Sequence, residues 1–244
     1  MGIGVSTIIF VIIAELCAGI FQGITGFGAG IISMMALPLA FPLIQSSAIA
    51  GAICLSLTAA MVLQYRKHIN FRKAILPTIL YTLMSAIAIH FSTQINQALI
   101  KRIFGGFLIL LALYYIFVNR EKSRKLGLAV SIVFIAVSGA CDGLFSIGSP
   151  LMVIYYLSQT DSKEEYLGTI QFLFFVCLVY NLFARIHNGI LLATHLPLIL
   201  IGIVCINCGL FIANRIVGKI NGEKLKKIAY IGIGLTGLMN LLAI

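Results

Sequence analysis

The chain alternates between long apolar segments and short polar or basic stretches. Ten apolar segments are predicted, at residues 4–21, 28–41, 43–65, 74–91, 98–118, 126–141, 149–157, 166–184, 192–212 and 225–244. Most are long enough to cross a hydrocarbon core of about 30 Å at about 1.5 Å per residue. The second and seventh are shorter, and Pro38 and Pro42 close the second. The pattern therefore predicts membrane-spanning helices with two half-length helices among them.

The second half of the sequence repeats the first at a shift of 120 residues. The stretch LPTIL at 76–80 falls on LPLIL at 196–200, with four of five positions identical. The same shift places Gly19, Gly23 and Gly28 on Gly139, Gly143 and Gly148, Gln22 on Asp142, and Gly26 on Ser146. Agreement in register at two separate places indicates an internal duplication. We predict an N-terminal transmembrane repeat at 1–118, a cytoplasmic linker at 119–125 and a C-terminal transmembrane repeat at 126–244.

Basic residues predict the orientation of the two repeats. Lys and Arg are concentrated at 66–73, 119–125 and 215–227, and such stretches are typical of cytoplasmic loops. Five membrane passages per half place all three on one side, and an odd number gives the halves opposite orientations. Lys101, Arg102 and Arg185 are exceptions to this charge rule. The predicted fold class is an all-α integral membrane protein with two inverted repeats of about five helical segments each, in which segments 2 and 7 are short and broken.

Composition excludes a soluble protein. The chain has 244 residues, of which 61% are hydrophobic and 10% are charged, and its mean hydropathy is +1.09. The net charge of +10 would suggest nucleic acid in a soluble protein, but here it reflects cytoplasmic loops, so no nucleic-acid partner is predicted. The lipid bilayer is the predicted partner, and the expected location is the cell membrane, as a multi-pass protein.

Two glycine-rich stretches interrupt the apolar pattern at corresponding places in the two halves. They read QGITGFGAG at 22–30 and GACDGLFSIGSP at 139–150. Broken segments at matching positions of two halves are the best sequence indication of a transporter's binding site. The alternative is that the glycines only let helices pack closely, as small residues do in many membrane bundles.

The chemistry of these stretches favours anion binding. Ser149 followed by Pro150 is typical of a helix start, with serine as the cap and proline at the first helical position. By the repeat, segment 2 begins near Ala29. A helix start carries free N–H groups and partial positive charge, and glycine lets a ligand approach the backbone. Two such starts from inverted halves would form an anion site near the bilayer midplane, with hydroxyl donors from Thr25, Ser33, Ser146 and Ser149.

Asp142 is the acidic residue within a broken segment. An intramembrane carboxylate is a functional hypothesis by default, so we predict that Asp142 binds and releases a proton during transport. Its alternative role is a structural cap on amides of its own turn. Gln22 is the uncharged counterpart in the first half. The predicted substrate-binding residues are Gln22, Gly23, Thr25, Gly26, Gly28, Gly30, Ser33, Gly143, Ser146, Gly148 and Ser149.

The two stretches, with Pro38-Leu39 after the first, resemble the paired glycine motifs of the sulfite exporter TauE/SafE family of membrane permeases. The resemblance covers most of the chain, including the Leu-Pro openings of segments four and nine. It implies a secondary transporter for small, often sulfur-containing anions such as sulfite, sulfoacetate or related organic acids. The second motif departs from the family pattern, because Ser146 and Ser149-Pro150 stand where further glycines would be typical.

We therefore expect a secondary transporter that moves a small anion by alternating access, with protons as the coupling ion. We expect no enzyme activity, no catalytic residues, no metal and no cofactor. No nucleotide-binding loop of the form G-x-x-x-x-G-K-[ST] is present in the sequence. One alternative is a passive anion channel. The other is a membrane-embedded redox or sulfur-handling enzyme, for which Glu15, Cys141 and Asp142 are the candidate groups.

Overall fold

A computed structural model describes residues 5–117 and 126–216, and this part of the protein is all-helical, as predicted. Its nine α-helices are α1 Val5–Thr25, α2 Ala29–Ala36, α3 Leu43–Tyr65, α4 Phe71–Ser92, α5 Gln97–Phe117, α6 Leu128–Phe145, α7 Ser149–Gln159, α8 Lys163–His187 and α9 Leu196–Ile216. Short 3₁₀ turns follow α2 and α3 and precede α9. The predicted linker at 119–125 and the predicted segment at 225–244 lie outside the described residues, as does most of the basic stretch 215–227.

Six helices of the described part are long and apolar enough to cross a membrane. Their outer faces carry large apolar side chains that the protein leaves uncovered, such as Leu76 and Ile79 on α4 and Leu200 and Val204 on α9. A helix with an uncovered apolar face is stable in contact with lipid tails. This part of the chain therefore has the surface of a multi-pass membrane protein.

Both glycine-rich stretches break the helix, and they do so late in the motif. α1 continues through Gly23 to Thr25, and the chain then turns at Gly26 and Gly28, whose φ angles are +82° and +98°. α6 continues through Gly143 to Phe145, and Ser146 ends it with a φ of +53°. Left-handed backbone of this kind stops an α-helix, and glycine adopts it without a steric penalty.

The first and sixth helices each pack closely against the fourth helix of the other half. α1 lies against α9, where Gly19 and Gly23 meet the backbone of Ile206 and the side chain of Ala213. α6 lies against α4, where Gly139 and Gly143 meet the backbone carbonyls of Tyr81 and Ser85. An added methyl group at any of these glycines would collide with the neighbouring helix. These glycines serve close packing, the alternative that we considered for the motifs.

The third helices of the two halves form the centre of the bundle. α3 and α8 pack against each other along their lengths. Ser47 near the start of α3 contacts Arg185 near the end of α8, whereas Tyr65 at the end of α3 contacts Gly168 near the start of α8. The two helices are therefore antiparallel. Around them, α4 lies against α8 and α9 lies against α3, so the helix contacts of one half recur in the other.

Several predicted boundaries need correction. The first and sixth segments were predicted to end at 21 and 141, but α1 and α6 each run four residues further because their glycines are held in helix by tight packing. Segment 4 begins at Phe71 rather than 74, since the side chain of Asn70 accepts a hydrogen bond from the Lys73 amide. The prediction that Ser149 caps α7 is wrong, because Gly148 is the cap residue and Ser149 is already helical.

Candidate functional site

The two broken segments meet at a small, partly open cavity of about 40 Å³, whose wall carries polar groups among a larger share of apolar surface. The motifs supply Gln22, Gly28 and Gly30 from the first half and Asp142, Ser146, Gly148 and Ser149 from the second. The central helices complete the wall with Cys54 and Thr58 from α3 and Phe174 and Leu178 from α8. Six of the eleven predicted substrate-binding residues thus line the cavity, and so does Asp142, the predicted proton site.

The lining follows the 120-residue repeat. Gln22 pairs with Asp142, Gly28 with Gly148, Cys54 with Phe174 and Thr58 with Leu178, each pair differing by 120 in residue number. The corresponding positions of the two halves therefore face one space. The pairs differ in chemistry, because α3 contributes a thiol and a hydroxyl where α8 contributes two apolar side chains.

Gln22 holds the first broken segment in place. Its Oε1 accepts a hydrogen bond of 3.0 Å from the Ala29 amide at the start of α2, and its Nε2 lies 3.4 Å from Oε1 of Gln171. Gln171 in turn donates at 2.7 Å to the Gly26 carbonyl. Two buried amide side chains thus satisfy the backbone where the helix stops. The Gly30 amide precedes the first hydrogen bond within α2, which Ile32 donates to the Gly28 carbonyl at 3.2 Å.

Asp142 is held by side chains of α8 and α4. Its Oδ2 accepts hydrogen bonds from Asn181 Nδ2 at 2.9 Å and from Cys177 Sγ at 3.5 Å. Asn181 Oδ1 accepts from the Ser85 hydroxyl at 2.9 Å. The Tyr81 hydroxyl lies beside the carboxyl group and beside Gly148, and it has no well-formed hydrogen bond in the described structure. Asp142 is therefore oriented by α8, and its carboxyl group also accepts a hydrogen bond from the Gly148 amide in the turn that follows α6.

Arg185 is a buried cation beside the cavity that the sequence motifs do not include. Its side chain is 2% exposed. Nη1 donates to the Ser47 carbonyl at 2.7 Å and to the Ser146 hydroxyl at 2.9 Å, and Nη2 donates to the carbonyls of Asp142 at 3.1 Å and Gly143 at 3.0 Å. The guanidinium group satisfies the end of α6, where a cation is favoured by the free carbonyls. All of these acceptors are neutral groups.

A signal for Arg185 is present in the sequence. Cys177, Asn181 and Arg185 are spaced four residues apart in an otherwise apolar segment, which places them on one face of a helix. That face contacts Asp142 and the end of α6. The charge rule alone leaves Arg185 as an exception, and its partners could not be inferred from it because they come from α3 and from the end of α6, both distant in sequence.

Several predicted substrate-binding residues lie outside the cavity wall. The Thr25 hydroxyl lies 2.8 Å from the Phe21 carbonyl and 2.7 Å from the Phe27 carbonyl, so it stabilises its own turn. The Ser33 hydroxyl donates to Glu15 Oε2 at 2.9 Å. Gly23 and Gly143 face neighbouring helices, and an added methyl group at Gly26 would meet Leu167. These residues shape the broken segments without contributing to the lining.

Apolar helices thus surround a small cavity between two broken segments, an arrangement that suits a membrane permease. The family model for the sulfite exporter TauE/SafE family matches residues 11–239, and the chain belongs to this family. The protein is therefore a membrane transporter by family, as the motifs predicted. Neither a search of curated proteins nor a search of solved structures found a match to the chain.

Proposed function

We propose that this protein is a secondary transporter of a small, sulfur-containing anion, such as sulfite, sulfoacetate or a related organic acid, and that it is not an enzyme. The observation that carries the proposal is the cavity between the starts of α2 and α7, with the buried Arg185 behind it. Family membership supports the class of substrate. We place the protein in the bacterial inner membrane.

The cavity suits a small oxyanion in size and in chemistry. A space of about 40 Å³ holds a few water-sized groups, since one such group requires about 10–15 Å³ by this measure. Gly30 lies in the first turn of α2, and Gly148 and Ser149 lie at the start of α7. The Ala29 and Gly148 amides already donate to Gln22 and Asp142, and the other first-turn amides offer free N–H groups and partial positive charge, the usual environment of a bound phosphate or sulfate.

The charged residues of the second half, Arg185 and Asp142, determine the electrostatic potential of the site and how it changes with protonation. The guanidinium group of Arg185 reaches the cavity wall through its hydrogen bond to Ser146 and attracts an anion. An ionised Asp142 in the same wall repels an anion, so protonation of Asp142 strengthens binding. Asp142 is thus the proposed proton-coupling residue within the anion site. Anion export is already favoured by a membrane potential that is negative inside, by about 2.3 kcal/mol per charge per 100 mV.

Alternating access follows from inverted repeats, and the helix contacts support that arrangement. The corresponding helices α3 and α8 are antiparallel. The fourth helix of each half packs against the first helix of the other half, α9 against α1 and α4 against α6. We infer that α1 moves with α9 and α6 moves with α4, because these pairs are the most closely packed. Relative movement of the two groups around the cavity would expose it to each side in turn.

Sulfite counterflow in proteoliposomes tests this function. Vesicles loaded with unlabelled sulfite are expected to take up labelled sulfite from outside, with saturation and with acceleration by the internal sulfite. A passive channel would show no acceleration, and vesicles with an unrelated permease control for leakage. Formation of a new product from sulfite in detergent would favour the enzyme instead.

A further inference from the structure

Glu15 is a buried carboxyl group that the anion site does not use. It lies in the middle of α1, and its side chain is 0% exposed. Oε2 accepts one hydrogen bond, of 2.9 Å, from the Ser33 hydroxyl on α2. Oε1 is buried without a hydrogen-bond partner in the described structure. Within residues 5–117 and 126–216, Glu15 has no ion-pair partner.

This environment suits a protonated carboxyl group. An ionised carboxylate offers about four acceptor positions, and here a single hydroxyl group occupies one of them. An unpaired buried charge is so unfavourable that such a group takes up a proton instead. A proton suits this carboxyl group better than a metal cation does. Hard cations need several oxygen ligands, and the structure gives Glu15 one neighbouring hydroxyl.

Packing alone does not require a carboxyl group at this position. The repeat places Glu15 on Ile135 and Ser33 on Val153, both buried, at 5% and 1% exposure. The second half thus fills the corresponding space with two apolar side chains. The first half has a polar pair where the second half has an apolar pair, which indicates a role beyond stability.

The pair also connects the protonation of α1 to the broken helix and to the cavity. Ser33 belongs to α2, whose first turn lines the anion site through Gly30. Cys54 lies beside both Glu15 and Ser33 and also lines the cavity. The other titratable group facing Glu15 is Cys205 on α9, Asp142 lies across the cavity, and α2 carries none.

We propose that Glu15 is a second proton-binding site, distinct from Asp142, which couples anion transport to a proton through Ser33 on α2. In the packed arrangement Glu15 is dry and holds its proton. When α1 and α2 separate and water enters, the carboxyl group ionises, so that the proton favours the packed state. The coupling to transport rests on the proposed function, whereas the protonation of Glu15 does not depend on it.

Infrared spectroscopy tests the protonation step on the purified protein without any anion. The parent is expected to show a protonated-carboxyl band that shifts in deuterated water. Glu15→Gln should remove one component of that band, and Ser33→Ala should shift the same component without removing it. Asp142→Asn is the matched control and should leave the Glu15 component in place. An unchanged band in Glu15→Gln would overturn the proposal.

Transport across a pH gradient tests the coupling step. Labelled sulfite is the probe, and sulfoacetate is run in parallel because its sulfonate group stays ionised. One coupled proton changes the steady-state anion ratio about tenfold per pH unit. Glu15→Gln should still exchange the anion. For each pH unit, its steady-state anion ratio should change by a factor about tenfold smaller than in the parent, because one coupled proton is lost.

A second variant separates coupling from folding. Glu15→Ile with Ser33→Val copies the apolar pair of the other half, so it should fold and lose the same pH response. A parental pH response in either folded variant would overturn the proposal. If the parent transported neither probe, the proposed function would fail, whereas the infrared result would still decide whether Glu15 holds a proton.

Discussion

Arg185 donates to the Ser146 hydroxyl at 2.9 Å, so a buried positive charge ends at the wall of the cavity. Ser146 has a positive φ angle, and its hydroxyl lies 2.8 Å from the Ser47 carbonyl that Arg185 also contacts. One guanidinium group thereby joins the central helix α3 to the turn that ends α6. Gly51 makes room for it, because an added methyl group there would meet Nη1 at 2.6 Å.

Replacing Arg185 with Gln is expected to weaken sulfite binding at least tenfold and to lower stability. The change removes the cation beside the site and leaves buried carbonyls of Asp142 and Gly143 without a donor, at about 1–3 kcal/mol for each unsatisfied group. Arg185→Lys keeps the positive charge but loses the planar guanidinium group and its several hydrogen bonds. Relative to the parent, its sulfite affinity should therefore fall less than its stability. Binding by calorimetry and thermal unfolding on the same preparations measure both effects.

The control for the loss of charge is Arg215→Gln. Arg215 is exposed near the end of α9 and lies over the Phe211 ring at 4.3 Å, so its removal should leave both measurements near the parent values. Parental sulfite affinity in folded Arg185→Gln would show that its charge does not act on the anion.

Asp142→Asn is expected to keep anion binding and to flatten its pH dependence. In the parent, binding should strengthen as pH falls and Asp142 takes up a proton, and weaken as pH rises and the carboxylate repels the anion. Asn is neutral throughout, and its carbonyl oxygen can still accept the hydrogen bond from Asn181. Titration with sulfoacetate, over a range in which its own charge is constant, measures the profile.

Asp161→Asn serves as the control, because the Asp161 side chain is 95% exposed and lies next to Lys73 away from the cavity. Its profile should match that of the parent. A parental pH profile in Asp142→Asn would remove the protonation role from Asp142 and leave Glu15 as the proposed proton site.

Hydropathy and the repeat were sufficient to predict most of the helices. The predicted third segment, 43–65, coincides with α3, since Pro42 precedes it and Arg66 begins the polar stretch after it. The ends of α1 and α6 were not predictable in this way, because Gly23 and Gly143 stay helical only through contacts with α9 and α4. Local sequence carries no information on such contacts.

The candidate site was predicted only in part, because contacts between distant helices also form it. Glycine clusters indicated where the helices break, and Gly28, Gly30, Ser146 and Gly148 do line the cavity. The contributions of α3 and α8 were missed, since Cys54 and Phe174 are ordinary members of apolar segments. Their role depends on the antiparallel packing of two helices that the sequence places more than a hundred residues apart.

The glycines of each motif divide into two functional groups, and substitutions should separate them. Gly28 and Gly148 line the cavity, whereas Gly139 faces the backbone of Tyr81 on α4. Gly139→Ala should therefore lower the unfolding temperature, with a cost of about 1–3 kcal/mol for overpacking. The protein that remains folded should bind sulfite with parental affinity.

Gly28→Val and Gly148→Val should instead block approach of the anion to the helix starts and weaken sulfite binding in folded protein. Gly28 also has a φ of +98°, so a β-branched residue strains its turn, and an added methyl group at Gly148 would meet the Tyr81 hydroxyl. Gly106→Val is the matched control, because nothing lies within 4 Å of the added carbon. Binding is measured by calorimetry on fractions that elute as folded protein in size-exclusion chromatography. If both cavity variants bound sulfite as the parent does, the anion site would have to lie elsewhere in the bundle.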